Sequence, residues 1–269
     1  MIIRKKQSVA IIQNMPAYNL EHSLSNALSL VEQAADSADM IILPEMFITP
    51  YELNLMQDAS LLSNIAIEKL KIIANKYSVF ICSGSLPVQR DKKLSNTSYL
   101  INSSGNVIYE YNKCHLFDVQ LDDLTVQESK IFSAGNSASI IKTELGNIGI
   151  SICYDIRFPE LARKMTLQGM QAVCVPAAFS ETTGKSHWHA VLRSRAIENQ
   201  IYLYAASPAR NPKSSYPAYG HSLIINPWGE IISEAGTDEE IIYGSVDLEF
   251  LENIRHKLPL LQHRRTDIY

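Results

Sequence analysis

The sequence predicts an α/β fold with mixed sheets. Short runs rich in Val and Ile alternate with segments whose apolar residues recur at helical spacing. Two tight turns join strand-like runs directly, which sets antiparallel hairpins beside β-α-β units.

From the N-terminus, SVAIIQ (8–13) reads as a buried strand. Leu20, Leu24, Leu28 and Val31 then place an amphipathic helix over about 20–36. MIILPE (40–45) is the next strand-like run. Leu61, Leu62, Ile65, Ile67, Leu70 and Ile73 mark a second helix ending near Tyr77, and VFICSGS (79–85) follows it. TSYLINS (97–103) and VIYEYNK (107–113) flank Ser104-Gly105-Asn106, a hairpin turn. Residues 114–135 show no clear period, and a stretch of that length in a compact domain usually serves function. ASIIKTE (138–144) and IGISICY (148–154) precede PELARKMTLQG, a helix with Pro near its start and Gly169 at its end. AVCVPAA (172–178), a helix over KSHWHAVLRSRAIENQ and IYLYAAS (201–207) come next. SLIINP (222–227) and EIISEA (230–235) share the NPWGE turn, and IIYGSVDL (241–248) leads into a short helix, EFLENIRHK. With no repeat, low-complexity tract or Gly/Ser linker, residues 1–269 read as one domain.

Composition bounds the function. The 269 residues are 46% hydrophobic and 19% charged with a formal net charge of -4, an ordinary globular balance. Without a Lys/Arg run there is no electrostatic case for nucleic acid or an acidic membrane. No segment approaches the ~20 apolar residues of a membrane span, and the N-terminal MIIRKKQSVAIIQN lacks signal-peptide character. A cytoplasmic protein is expected. Cys82, Cys114, Cys153 and Cys174 are too widely and irregularly spaced for a disulfide framework or a zinc site. Cys82 and Cys174 sit inside apolar strand-like runs and read as core.

Three polar residues fall at predicted strand ends: Glu45 after MIILP, Lys113 after VIYEYN, and Cys153 after IGISI. Strand ends on one edge of a sheet are where α/β proteins place their sites. A thiol attacks carbonyl carbon as its thiolate once a base has taken its proton, and Glu45 is such a base. Lys113 and the Tyr154 backbone N–H are donors for a developing oxyanion. On pattern alone the plain reading stands beside this one, with Cys153 in the core, Glu45 capping a loop and Lys113 solvated.

The segments LPEMF, YNKCHLF and GISICYDIRFPEL resemble, in order and separation, the Glu, Lys and Cys signatures of the nitrilase superfamily of carbon–nitrogen hydrolases. The resemblance implies a four-layer α-β-β-α sandwich of mixed sheets, commonly dimeric through its outer helices, with no cofactor. It assigns Glu45 as general base, Lys113 as oxyanion stabiliser and Cys153 as nucleophile. Glu128, in VQESKIF, matches a second glutamate that holds Lys113 or Glu45. AFSETTGKSHWHAVLRSRAIENQ, SPARN, YGHSLIINPWGE and HRRTDIY are most similar to the ω-amidase branch, which implies hydrolysis of 2-oxoglutaramate and 2-oxosuccinamate through a cysteine thioester. A sister branch acting on deaminated glutathione shares RFPEL and LQHRR, and a non-catalytic module on the same fold is the reading from another class.

Further residues carry weaker expectations. Two positions apart on a helix, His187 and His189 point away from each other, so metal ligation is not expected. His187 is assigned to packing of the substrate loop and Trp188 to an apolar wall. His115 offers a Cys–His pair with Cys153, although the resemblance gives that work to Glu45. Asp155 and Arg157 form an ion pair flanking the site, or Arg157 meets a substrate carboxylate. Tyr51 lines the pocket or packs.

Overall fold

The computed structural model describes residues 3–121 and 124–268. The first two residues of the N-terminal segment, Asp122 and Asp123 of the 114–135 stretch, and the last residue of the HRRTDIY motif lie outside the described residues. In chain order the elements are β1 (Lys6–Gln13), α1 (Leu20–Ala35), β2 (Met40–Ile42), α2 (Met56–Tyr77), β3 (Phe80–Cys82), β4 (Leu86–Arg90), β5 (Lys93–Ile101) and β6 (Val107–Asn112). There follow β7 (Asp118–Gln120), β8 (Thr125–Gln127), β9 (Ile140–Thr143), β10 (Gly146–Ile150), α3 (Pro159–Leu167), β11 (Ala172–Pro176), α4 (Glu181–Asn199) and β12 (Tyr202–Ala206). The last are β13 (Leu223–Ile225), β14 (Ile231–Glu234), β15 (Glu240–Asp247) and α5 (Leu248–Lys257).

Two mixed sheets form the centre. One has the order β15-β1-β2-β3-β5-β4 with β6 paired along β5; the other runs β14-β13-β12-β11-β10-β9. Within the two sheets the strands β1-β2-β3 and β10-β11-β12 pair in parallel, and antiparallel strands flank both groups.

The period of two along each strand builds the layers. Val9, Ile11, Met40, Ile42 and Cys82 pack between the sheets against residues of the second sheet such as Ile150, Cys174 and Tyr204. Their neighbours Ala10, Ile12, Ile41 and Ile81 point the other way, onto Leu24, Ala27 and Val31 of α1 and Leu70 and Ala74 of α2. Helix α4 seals the second sheet with Trp188, Leu192 and Ala196. The result is the α-β-β-α sandwich.

Differences from the sequence expectation have local causes. Helix α2 begins five residues before Leu61, and α4 begins at Glu181, where Ser180 caps it by accepting the Thr183 N–H. Strand β4, LPVQR, was not expected; it is the sheet's edge, where Pro87 is tolerated. The stretch 114–135 contains the β7–β8 hairpin and a 3-10 turn at Glu128–Lys130. Strand β10 stops at Ile150, so Cys153 does not end a strand. It opens a 3-10 helix, Cys153–Arg157. Among the described residues no helix is long and apolar enough to cross a membrane.

Candidate active site

Each polar group of the site is delivered by a short segment just beyond a strand. Beyond β2 the chain stays extended, and Glu45 bridges Ser85 beyond β3. The Met46 N–H donates to Ser85 O at 3.0 Å and the Ser85 N–H to Pro44 O at 3.2 Å. Gly84 permits this approach: its φ is +66, and a Cβ there would lie 2.2 Å from Pro44 O. Lys113, one residue past β6, donates its backbone N–H to Asn96 O on β5 at 2.9 Å. Glu128 opens the 3-10 turn after β8.

The three side chains meet in the interior, each with 0% exposure. Lys113 Nζ lies 2.9 Å from Glu45 Oε1 and 2.9 Å from Glu128 Oε1. Asn96 Nδ2 donates to Glu45 Oε1 at 2.8 Å, and the Phe117 N–H to Glu128 Oε2 at 2.6 Å. The Tyr51 hydroxyl completes the shell by bonding to Glu128 Oε1. One ammonium thus stands between two carboxylates, and Glu45 Oε2 is left without a hydrogen-bond partner among the described residues.

Cys153 lies against this group. The residue is buried, and its thiol interacts with the Glu45 carboxyl group and with the Ala178 backbone. Its φ of +48 is a left-handed conformation that a side-chain-bearing residue adopts only under constraint. The constraint is visible. Asp155 accepts from the Ile152 N–H (3.1 Å), the Tyr111 hydroxyl (2.7 Å) and the His115 N–H (2.8 Å), and its Oδ1 lies 2.7 Å from His115 Nδ1. These bonds tie the segment bearing Cys153 to the segment bearing Lys113. From α4, the buried Arg195 donates to Ile156 O at 2.8 Å and Arg157 O at 2.9 Å, closing the other end of the 3-10 helix.

Burial and charge set the protonation. Burial raises the Glu45 carboxyl, and Lys113 only partly offsets it. Burial alone would lower Lys113, but Glu128 and Glu45 overcome it and hold the ammonium well above the ordinary lysine value. The Cys153 thiol is pushed well above its usual range by burial and then by the charge on Glu45. Burial thus holds the Cys153 thiol in its protonated form against the Glu45 carboxyl group, the pairing across which a general base takes a proton during attack.

The expected residues outside this cluster divide. Tyr51 reaches the site as a hydrogen-bond donor to Glu128, with its ring 4.8 Å from that of Tyr216. A 250 Å³ cavity beside these two tyrosines is also lined by Leu124, Val126 and Ser215. A larger cleft of 500 Å³, between α1 and α2, shares none of the site's residues. Arg157 lies 4.5 Å from the Phe179 ring centroid and 3.1 Å from His187 Nδ1 on exposed α4 surface. Asp155 and Arg157 do not form the expected ion pair, because Asp155 is turned inward onto Tyr111 and His115. Trp188 is not a pocket wall: it is 0% exposed and donates its indole N–H to His221 O at 2.7 Å. The His115 ring is held by Asp155 and stacked on Phe158 with centroids 3.8 Å apart, which accounts for it outside a Cys–His pair. Asn96, Tyr216, Arg195 and the Ala178 backbone carried no local signal in the sequence. Among the described residues, side chains at metal-ligand spacing occur elsewhere, at His189, His221 and Glu234.

The family profile described as Carbon-nitrogen hydrolase matches residues 8–256. The chain belongs to that family. This hydrolase is 39% identical over 264 residues to omega-amidase NIT2 of Homo sapiens, covering 97% of this chain and 96% of that one. It is 38% identical over 280 residues to omega-amidase NIT3 of Saccharomyces cerevisiae, covering 100% and 96%. Among solved structures, Nit3 of Saccharomyces cerevisiae, described as a member of branch 10 of the nitrilase superfamily, superposes with a TM-score of 0.90 at 37% identity over 98% of each chain. The C. elegans NitFhit protein superposes with a TM-score of 0.92 at 33% identity, over 100% of this chain and 67% of that one. The hydrolase is thus an amide-hydrolysing enzyme of the nitrilase fold.

Proposed function

We propose that this hydrolase is an ω-amidase, cleaving the terminal amide of small dicarboxylate monoamides such as 2-oxoglutaramate and 2-oxosuccinamate through a thioester on Cys153. The observation that carries the reading is the convergence of Cys153, Glu45, Lys113 and Glu128 in one buried cluster, in a chain similar over its whole length to omega-amidases.

Attack forms the bond from Cys153 Sγ to the amide carbon while the thiol proton passes to Glu45. The Lys113 ammonium and the Tyr154 N–H stabilise the oxyanion. The C–N bond then breaks, and ammonia leaves with the proton returned by Glu45. Glu45 next takes a proton from water as its oxygen bonds to the thioester carbon. The S–C bond breaks, and the proton goes back to the sulfur. The steps balance with water as sole co-reactant. Glu128, held by Tyr51 and the Phe117 N–H, keeps Lys113 aimed. Lys113 is committed to two carboxylates, so the far carboxylate of the substrate needs another cation, assigned to Arg157 with His187 beside it. The chain acts as one domain, in a homodimer paired through outer helices.

Ammonia release from a panel of amides tests the reading. Turnover of 2-oxoglutaramate far above that of deaminated glutathione is expected; the reverse preference moves the enzyme to the sister branch. Absence of all amidase activity, with Cys153 open to alkylation, returns it to a non-catalytic module.

A further inference from the structure

Away from the catalytic cluster, three side chains from separate elements meet at the surface. His189 projects from α4, His221 precedes β13, and Glu234 ends β14. His189 Nε2 lies 2.8 Å and His221 Nδ1 3.0 Å from the same oxygen, Glu234 Oε1, and the three ligand atoms all fall within 4.8 Å of one another.

We propose that these residues form a binding site for a divalent first-row transition ion, with zinc the best fit. Two imidazole nitrogens and one carboxylate oxygen suit zinc and exclude magnesium and calcium, which take oxygen ligands. In a tetrahedral zinc site with bonds of about 2.0–2.1 Å, neighbouring donor atoms stand about 3.3–3.4 Å apart. The two edges to Glu234 therefore need to open by about 0.5 Å or less. The edge between the two imidazole nitrogens, at up to 4.8 Å, needs to close by about 1.4 Å, a shift within reach of side-chain rotation. The side chains of His189, His221 and Glu234 are 33%, 26% and 32% exposed, which gives an ion a route in and leaves a fourth position for water.

The surroundings hold the ligands in place. His221 has a left-handed backbone with φ of +56, donates its N–H to Gly236 O at 2.9 Å and stacks its ring on Tyr219 with centroids 4.5 Å apart. Its carbonyl accepts the indole N–H of Trp188, the residue adjoining His189. A bound ion would clamp α4 to the β13–β14 hairpin directly over Trp188, whose ring packs edge-on against Phe179 at 4.9 Å. The role is structural, on the outer side of the segment that carries Ala178.

The test uses the full chain carrying Cys153→Ala, so that the catalytic thiol takes no metal, freed of ions by chelator dialysis. Zinc is titrated by calorimetry and cobalt(II) by its visible absorption. The expected result is one equivalent of zinc, a tetrahedral cobalt spectrum and a raised melting temperature. His189→Gln, His221→Asn and Glu234→Gln each lose that equivalent, whereas His22→Asn, at a lone exposed histidine, keeps it. Asn at 221 tolerates the left-handed backbone, and an unchanged near-UV circular dichroism spectrum identifies which variants are folded. Folded variants that bind like the parent, or a parent without stoichiometric uptake, overturn the proposal.

Discussion

Lys113→Met keeps most of the volume of a fully buried side chain and removes the positive charge between Glu45 and Glu128. Each Oε1 lies 2.9 Å from Nζ, so the two oxygens are no further apart than those two bonds laid end to end. Two carboxylates about 5 Å apart repel by about 3 kcal/mol at an effective dielectric of about 20. Burial acts in the same direction. One carboxyl of the variant therefore keeps its proton well above the usual carboxylate range. A carboxyl raised in this way binds more protons folded than unfolded, so its contribution to stability falls as pH rises. Glu45 is already raised in the parent, so the difference between the two proteins carries the test. The parent's ammonium, held well above the ordinary lysine value, persists throughout. Urea unfolding should show a penalty that is smallest near pH ~5 and grows to about 3–5 kcal/mol by pH ~8. Turnover should fall a hundredfold or more, the worth of one oxyanion donor at about 3 kcal/mol. A penalty independent of pH, or a turnover number within a few-fold of the parent, refutes the reasoning.

Cys153→Ala should abolish ammonia release while costing about 1 kcal/mol of stability, as for loss of one methyl-sized buried group; residual turnover would remove Cys153 as nucleophile. Glu45→Gln should also lose turnover yet alkylate faster at Cys153 near pH ~8, because it removes a charge that holds the thiol up. Mass spectrometry of the labelled residue reads this, and slower labelling counts against it. Arg157→Met should raise KM for 2-oxoglutaramate about tenfold or more and leave a neutral amide little affected; equal effects on both deny it the carboxylate. Gly84→Ala should cost about 2–4 kcal/mol and lower kcat, since its Cβ would drive Pro44 and with it Glu45 out of line. Parental melting would show that the loop yields freely.

The sheets were legible because their central strands are buried on both faces and read as continuous Val/Ile runs, such as VAII and AVCV. The edge strand β4 escaped because Pro87 and two exposed polar residues break that signal. Glu45, Lys113 and Cys153 were nameable from their segments, and Glu128 only from its match to the second glutamate of the family it resembles. Asn96 was not, since an asparagine inside LSNTSYL looks like any other until β5 is set beside β2's extension. Trp188 misled for a related reason: an apolar residue on a helix reads identically whether it faces a cavity or a core. Arg157 and Asp155, two apart in sequence, looked like neighbours, but one turn of 3-10 helix sends one inward and the other out.

The imbalance of two carboxylates to one ammonium bears on how a catalytic cycle ends. Under the ω-amidase reading, hydrolysis leaves a carboxylic acid where an uncharged amide stood. Once that acid gives up its proton, a third anion faces Glu45 and Glu128 across a single ammonium. The substrate is tolerated there amide-first; its product is not. Expulsion is thus written into the charge count: ionisation of the product is what turns the site against it.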